Sequence, residues 1–289
     1  MSTPLFRPAK DIKRTRLSQH AAWWTWSDPV RCTLDKLGTS LPRIPAPPMV
    51  HLRRGEEYDY TYTLSPGDHL PRALAREIRS IADAFLAFAP GQDRWMFRDL
   101  LQRNHPKKLL HVFFAMIRES IVNQTNDPMS AMYAPLGTVG TAAGEFRLHA
   151  DLYIPTFLFN VFDDVPEDGT GASTFLGIRS FKSVLKSCEL LPRSSRLEIQ
   201  RLFGSGLKTD GYERFIRLVH SENNPWCDQL WESLAKAQEL GSLRRGEGCL
   251  LNERLWLHGR TEPSNRVSRF RVHRLVFAKR QEFIGKQHF

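Results

Sequence analysis

The residues of this 289-residue chain best suited to chemistry sit in the stretch Phe146-Arg-Leu-His-Ala-Asp151. Successive side chains of an extended strand point to opposite faces, so His149 and Asp151 project the same way. An imidazole and a carboxylate on one face can supply two neighbouring ligands to a metal ion. His258, at the end of the expected strand Gly248–His258, is the candidate third ligand. Two histidines and one carboxylate leave several positions open on the metal, an arrangement suited to iron(II). Ten histidines and 31 acidic residues predict about one His-x-acid pair by chance, and a second pair, His220-Ser-Glu222, is present. It lies in a polar, loop-like stretch before Asn223-Asn-Pro225 and reads as solvated surface.

The elements that must hold these residues are legible in outline. Residues 1–65 read as an irregular N-terminal segment, punctuated by Pro42, Pro45, Pro47 and Pro48, with an alternation at Tyr58–Thr63. Flanking helices are expected over 66–125. In the first, Leu74, Ile78, Ile81, Phe85 and Phe88 recur at helical spacing between Pro71 and Pro90. The second runs from about Pro106 to Val122 and is apolar on most sides (Leu109, Leu110, Phe113, Met116, Ile117, Ile121). From Gly137 the texture changes to strands: Gly144–Leu152, Thr156–Phe162 and Ser173–Ile178, then Gly248–His258 and Arg269–Ala278. A β-core over 137–178 and 246–280 is thus interrupted by helical patterning over 180–245. One domain spanning 1–289 is expected, mainly β with helices.

In order along the chain, His149-x-Asp151 is followed by an apolar strand, an acidic turn and Gly171-Ala-Ser-Thr-Phe175. After the helical stretch come Gly246-Glu-Gly-Cys-Leu-Leu-Asn252, Leu257-His-Gly-Arg260 and Arg266-Val-Ser-Arg-Phe-Arg-Val-His-Arg274. This order resembles the Fe(II)/2-oxoglutarate-dependent dioxygenase superfamily. It is nearest the taurine dioxygenase and clavaminate synthase group, with some likeness to phytanoyl-CoA hydroxylase. The resemblance covers residues 140–178 and 246–278.

The resemblance implies a double-stranded β-helix (jelly-roll, cupin-like) core, with N-terminal helices outside it and the 180–245 insertion as a lid. It implies that His149, Asp151 and His258 bind iron, with Fe(II), 2-oxoglutarate and O2 as cofactor and cosubstrates. An arginine just beyond the second histidine pairs with the distal carboxylate of 2-oxoglutarate in this superfamily, because a guanidinium matches a carboxylate in bidentate fashion. Arg266, Arg269, Arg271 and Arg274 are available. Arg269 stands at the spacing of the taurine dioxygenase pattern. Alternation puts Arg269 and Arg271 on one face of the strand, Arg266 and Arg274 on the other. Thr174 is similar to a threonine that binds the same carboxylate, while Asn252 and Arg260 match positions beside the metal strand and read as structural. The implied reaction hydroxylates an unactivated C–H of a small amino-acid-like or secondary metabolite and releases succinate and CO2. Halogenating relatives carry a small residue in place of the acid, so Asp151 points to hydroxylation or a related oxidation.

Composition limits the alternatives. The chain is 41% apolar and 25% charged, as in ordinary globular proteins, and shows no repeat or low-complexity tract. The longest apolar stretch, Leu109–Ile117, is far too short for a bilayer. The basic N-terminus is not followed by an apolar core or cleavage site, and the four cysteines are widely spaced, so a reduced, cytoplasmic protein is expected. A net charge of +10 favours a small-molecule substrate that is anionic or carried on an acidic carrier protein. Nucleic acid, as in an alkylated-base demethylase, is disfavoured because the arginines are scattered and His149 and His258 lie far apart. A non-catalytic β-barrel binding module is the reading from another class. Oligomeric state is not encoded in any motif.

Overall fold

A computed structural model of the chain describes residues 12–16, 21–26, 28–40, 50–51, 71–73, 75–77, 79–80, 83, 94–98, 102, 105–125, 131–138, 146–150, 157–165, 170–204, 226–241, 244–253, 255–264 and 270–277. Among them the N-terminal region holds strands β1 (Ile12–Arg16) and β2 (Ala21–Trp26), helix α1 (Asp28–Ser40) and the short β3 (Val50–His51). The irregular segment expected over 1–65 is therefore corrected. Its prolines cluster after residue 41 and say nothing about Ala-Ala-Trp-Trp-Thr-Trp26, whose aromatic content suits a strand. Next come β4 (Arg94–Phe97), α2 (Lys107–Thr125), β5 (Ala131–Thr138), β6 (Phe146–His149), β7 (Phe157–Asp164) and β8 (Ser173–Gly177). Then follow α3 (Ile178–Ser187), α4 (Arg193–Gly204), α5 (Cys227–Ala237), β9 (Glu239–Gly241), β10 (Gly248–Asn252), β11 (Trp256–Arg260) and β12 (Phe270–Phe277). Residues 72–73, 75–77, 79–80 and 83 of the expected first helix are helical, but the apolar residues that suggested it lie outside the described residues.

The strands form two largely antiparallel sheets. The large sheet has the order β1-β2-β4-β10-β7-β12-β5-β3, the small one β6-β11-β8-β9. The chain alternates between the sheets over β6–β8 and again over β9–β12, with β8 and β9 both in the small sheet. Gly248–His258, expected as one strand, is two strands in different sheets. The corner is a turn in which Leu255 N–H donates to the Asn252 carbonyl at 3.0 Å. The polar triplet Asn252-Glu-Arg254 between Leu250-Leu251 and Leu255-Trp-Leu257 marks the corner in the sequence.

Packing arranges the protein in layers. Between the sheets, Leu158, Phe162, Cys249, Leu251, Val272 and Val276 of the large sheet meet Phe175 and Trp256 of the small one. The other face of the small sheet (Leu148, Leu176, Leu257) packs on α3 through Ile178, Phe181 and Leu185, and on α5 through Cys227, Leu230 and Leu234. Those helix positions recur at three- and four-residue intervals, one apolar stripe per helix. The outer face of the large sheet is covered by α2, whose Phe114 stacks on Phe159 with centroids 4.9 Å apart. Helix α2 is buried from Leu109 to Ile117 on every side, which explains its lack of a polar face. Gly248 allows β10 its closest approach to β7: a Cβ there would meet the Asn160 carbonyl oxygen at 2.1 Å.

Candidate active site

Strands β6 and β11 pair so that His149 lies directly opposite His258. The two imidazoles face each other with ring centroids 4.6 Å apart and planes at 48°. His258 also lies opposite Phe175 of β8, a member of the intersheet cluster, so the histidine pair belongs to the inner face of the small sheet. An apolar inner layer of this kind lowers the local dielectric around the buried His258.

Neighbouring groups fix the ring orientations. His149 Nδ1 donates to the Arg147 carbonyl at 2.7 Å, since a carbonyl only accepts. In the neutral ring that tautomer puts the lone pair on Nε2, the atom a metal would take. His258 Nδ1 lies 3.6 Å from a carboxylate oxygen of Glu253, whose side chain is buried in the corner between β10 and β11. A carboxylate behind Nδ1 likewise favours Nε2 as the outward donor. Glu253 went unread in the sequence; its signal was an acid within the polar triplet Asn252-Glu-Arg254, five residues before His258.

The other expected residues separate. Asp151, Arg266, Arg269, His220 and Glu222 lie outside the described residues. Among the described residues, no group of three His, Cys, Asp or Glu side chains is placed to hold a metal ion. Two of the three expected ligands are thus together, and Asp151 follows His149 by two positions. Thr174 is opposite Gly259, one residue out of step with His258, and so lies on the other face of the small sheet. There it lines a cavity of about 240 Å³ under α5, with Arg147, Trp231, Gln238 and Arg260. The structure does not bring Thr174 onto the face of the histidine pair. Parity within a five-residue strand depends on pairing that local sequence does not encode. Burial pushes the Arg260 guanidinium down to about 10.

Strand β12 divides the arginines. Val272 and Val276 face the intersheet cluster, so Arg274 between them points inward as well. Its Nε donates to Asn160 Oδ1 at 2.9 Å, across the β12–β7 pairing. Arg271 and His273 are on the outer face, where Arg271 Nη1 and His273 Nε2 lie 3.6 and 3.7 Å from Asp163. Arg245 Nε reaches the same carboxylate at 3.3 Å. Cys249, opposite Asn160 on the inner face, has its thiol pushed up to about 11 by burial, against the opposing pull of Arg94 and Arg274.

No family profile and no curated protein matches the chain. Solved structures do. The non-heme iron oxygenase OrfP with Fe is 13% identical with a TM-score of 0.42, over 89% of this chain and 94% of that one. An asparagine oxygenase with Fe(II), 3-hydroxyasparagine and succinate is 11% identical with a TM-score of 0.44, over 88% and 92%. PvcB from Pseudomonas aeruginosa is 12% identical with a TM-score of 0.45, over 97% and 96%.

Proposed function

We propose that the protein is a non-haem iron oxygenase that couples decarboxylation of 2-oxoglutarate to oxidation of a C–H bond in a small amino-acid-like substrate. The observation that carries this reading is the cross-strand pair His149–His258, with His149 Nδ1 tied to a carbonyl and its Nε2 available as donor. Two nitrogen donors on one inner face fit iron(II), and Asp151 completes the set as its carboxylate oxygen. The alternation of β6 to β12 between the sheets supports a jelly roll around the pair.

Iron(II) with 2-oxoglutarate and O2 supplies the oxidation: substrate C–H becomes C–OH, and 2-oxoglutarate leaves as succinate and CO2. The chain's own residues do the rest. The Arg147 carbonyl and the Glu253 carboxylate hold the two imidazoles in register. Phe175, Trp256, Leu158 and Phe162 exclude water. Arg274, steadied by Asn160, is the inward guanidinium from the strand past His258, and we assign it the distal carboxylate of 2-oxoglutarate in preference to Arg269. Arg271 on the same strand faces outward, toward Asp163, and Thr174 falls outside the proposed site. Among the described residues no helix is long and apolar enough to cross a membrane.

The test is an anaerobic titration of metal-free protein with Fe(II) and then 2-oxoglutarate. A visible charge-transfer band is expected, and it should be lost in Asp151→Ala. A wild-type protein that binds neither would leave a non-catalytic binding module in its place.

A further inference from the structure

Arg94 is a buried charge that the proposed chemistry does not use. Its partner across β4–β10 is Leu251, a member of the intersheet cluster, so Arg94 sits on the inner face of the large sheet. Its guanidinium carbon lies 4.3 Å from the ring centroid of Trp256 and 4.9 Å from that of Phe175. Both rings share the inner face with His258: Trp256 precedes it by two residues on β11, and Phe175 is opposite it on β8. One strand further, Phe175 is opposite Glu239 of β9. The Glu239 carboxylate in turn pairs with Arg94 Nη2. His149, His258, Phe175 and Glu239 therefore form one row across the small sheet. Glu239 ends the row about 10 Å from His258 at two strand spacings, and the Arg94 guanidinium lies against that end, over Phe175 and Trp256.

The ion pair is lopsided. The Arg94 side chain is 3% exposed and that of Glu239 47%. Among the described residues, Arg94 Nε and Nη1 have no hydrogen-bond partner. Buried donors are rarely left unsatisfied, and a guanidinium fork is shaped to take a carboxylate through two nitrogens. Glu239 reaches only one of them, from a three-residue edge strand that is half in water. Trp256 and Phe175 hold the guanidinium by cation–π contact, independently of Glu239. We infer that Arg94 anchors a carboxylate of the substrate, and that Glu239 holds this place until the substrate's carboxylate displaces it. A substrate so held extends along the row of Phe175 toward the histidine pair, which places the oxidised carbon several bonds from its carboxylate. The inference rests on the proposed oxygenase reading for the chemistry that follows, while the anion site stands on the geometry of Arg94.

The experiment uses carbon-13-labelled propionate as a monocarboxylate probe, titrated by NMR into metal-free protein and into protein loaded anaerobically with Fe(II) and 2-oxoglutarate. Glu239→Gln removes the internal competitor and is expected to tighten propionate several-fold. Arg94→Gln is expected to weaken it by about tenfold or more, as for a lost charge-assisted pair. Neither should change the affinity for 2-oxoglutarate. Loss of stability in both variants with propionate affinity unchanged would make the pair purely structural and overturn the inference. Weakened 2-oxoglutarate binding in Arg94→Gln would assign the site to the cosubstrate, and the substrate role would fall. If Arg94→Gln does not fold, the sign of the Glu239→Gln effect decides alone. Absence of the iron charge-transfer band, with the propionate pattern intact, would sink the oxygenase reading and leave the anion site standing.

Discussion

Two histidine pairs in this protein have the same spacing. His149 and His258 have ring centroids 4.6 Å apart, and so do His111 of α2 and His273 of β12. The second pair even has a buried aspartate beside it, Asp163, so by residue type alone it also offers two histidines and a carboxylate. Direction separates them. His111 and His273 meet edge to face at 79°, under α2 on the outer side of the large sheet, so one ring points at the other's π-face. Asp163 is engaged by Arg245 and Arg271, whose charges compete with any cation. His149 and His258 stand side by side on neighbouring strands of the small sheet, tilted at 48°, with a carbonyl and a carboxylate behind their Nδ1 atoms. A metal site is made by donors that converge, and ring spacing alone does not report convergence.

The largest expected effect breaks the comparison outright. His258→Ala should abolish the charge-transfer band and turnover, whereas His273→Ala should keep both and lower stability to urea by about 1–3 kcal/mol, the usual range for a buried polar contact and its cavity. Iron binding lost with His273 and kept without His258 would reverse the assignment of the two pairs. A smaller effect sharpens the contrast between the faces of β12. Arg274→Ala should weaken 2-oxoglutarate by about tenfold or more while leaving iron affinity unchanged, in line with a lost charge-assisted hydrogen bond. Arg271→Ala, on the outer face, should leave 2-oxoglutarate affinity alone in the same titration. If Arg269→Ala carries the loss instead, the inward set of arginines has been misassigned.

The smallest effect probes the closed inner layer through its thiol. With its proton held up to about 11, buried Cys249 stays a thiol at pH 8, while Cys32 is exposed on α1. Iodoacetamide should therefore label Cys32 and spare Cys249 in the native protein, as read by peptide mass mapping. The sign follows from linkage. A folded pKa above the unfolded 9.0 means Cys249 contributes stability that is fully present below about 9 and is lost as pH rises through about 11. Rapid labelling of Cys249 at pH 8 would mean that the intersheet layer opens readily.

Much of this was legible in the chain, for identifiable reasons. Helix α2 announced itself by an apolar run too long for a strand, β7 and β8 by apolar stretches beside the turn Pro166-Glu-Asp-Gly-Thr-Gly171, and β12 by apolar residues alternating with arginines. His149 and His258 could be singled out because motif order joined them across more than a hundred residues. Local pattern did not reveal which face each residue takes. Alternation correctly separated Arg271 from Arg274, but only packing of Val272 and Val276 against Phe175 and Trp256 decides which set is inside. The face taken by Thr174 turns on the same one-residue parity. Arg94 lay beyond reach altogether, because its role depends on Glu239, which is 145 residues away.

The corner between β10 and β11 has a consequence for how the protein can be cut and how it should melt. Only Glu253, Arg254 and Leu255 separate a strand of one sheet from a strand of the other. A break there leaves the N-terminal fragment without β11 and β12, so each sheet loses a central strand and the small sheet parts into β6 and β8-β9. Neither fragment then owns a complete layer to bury. The two sheets should unfold in one transition, and fragments split at this corner should acquire structure only when mixed.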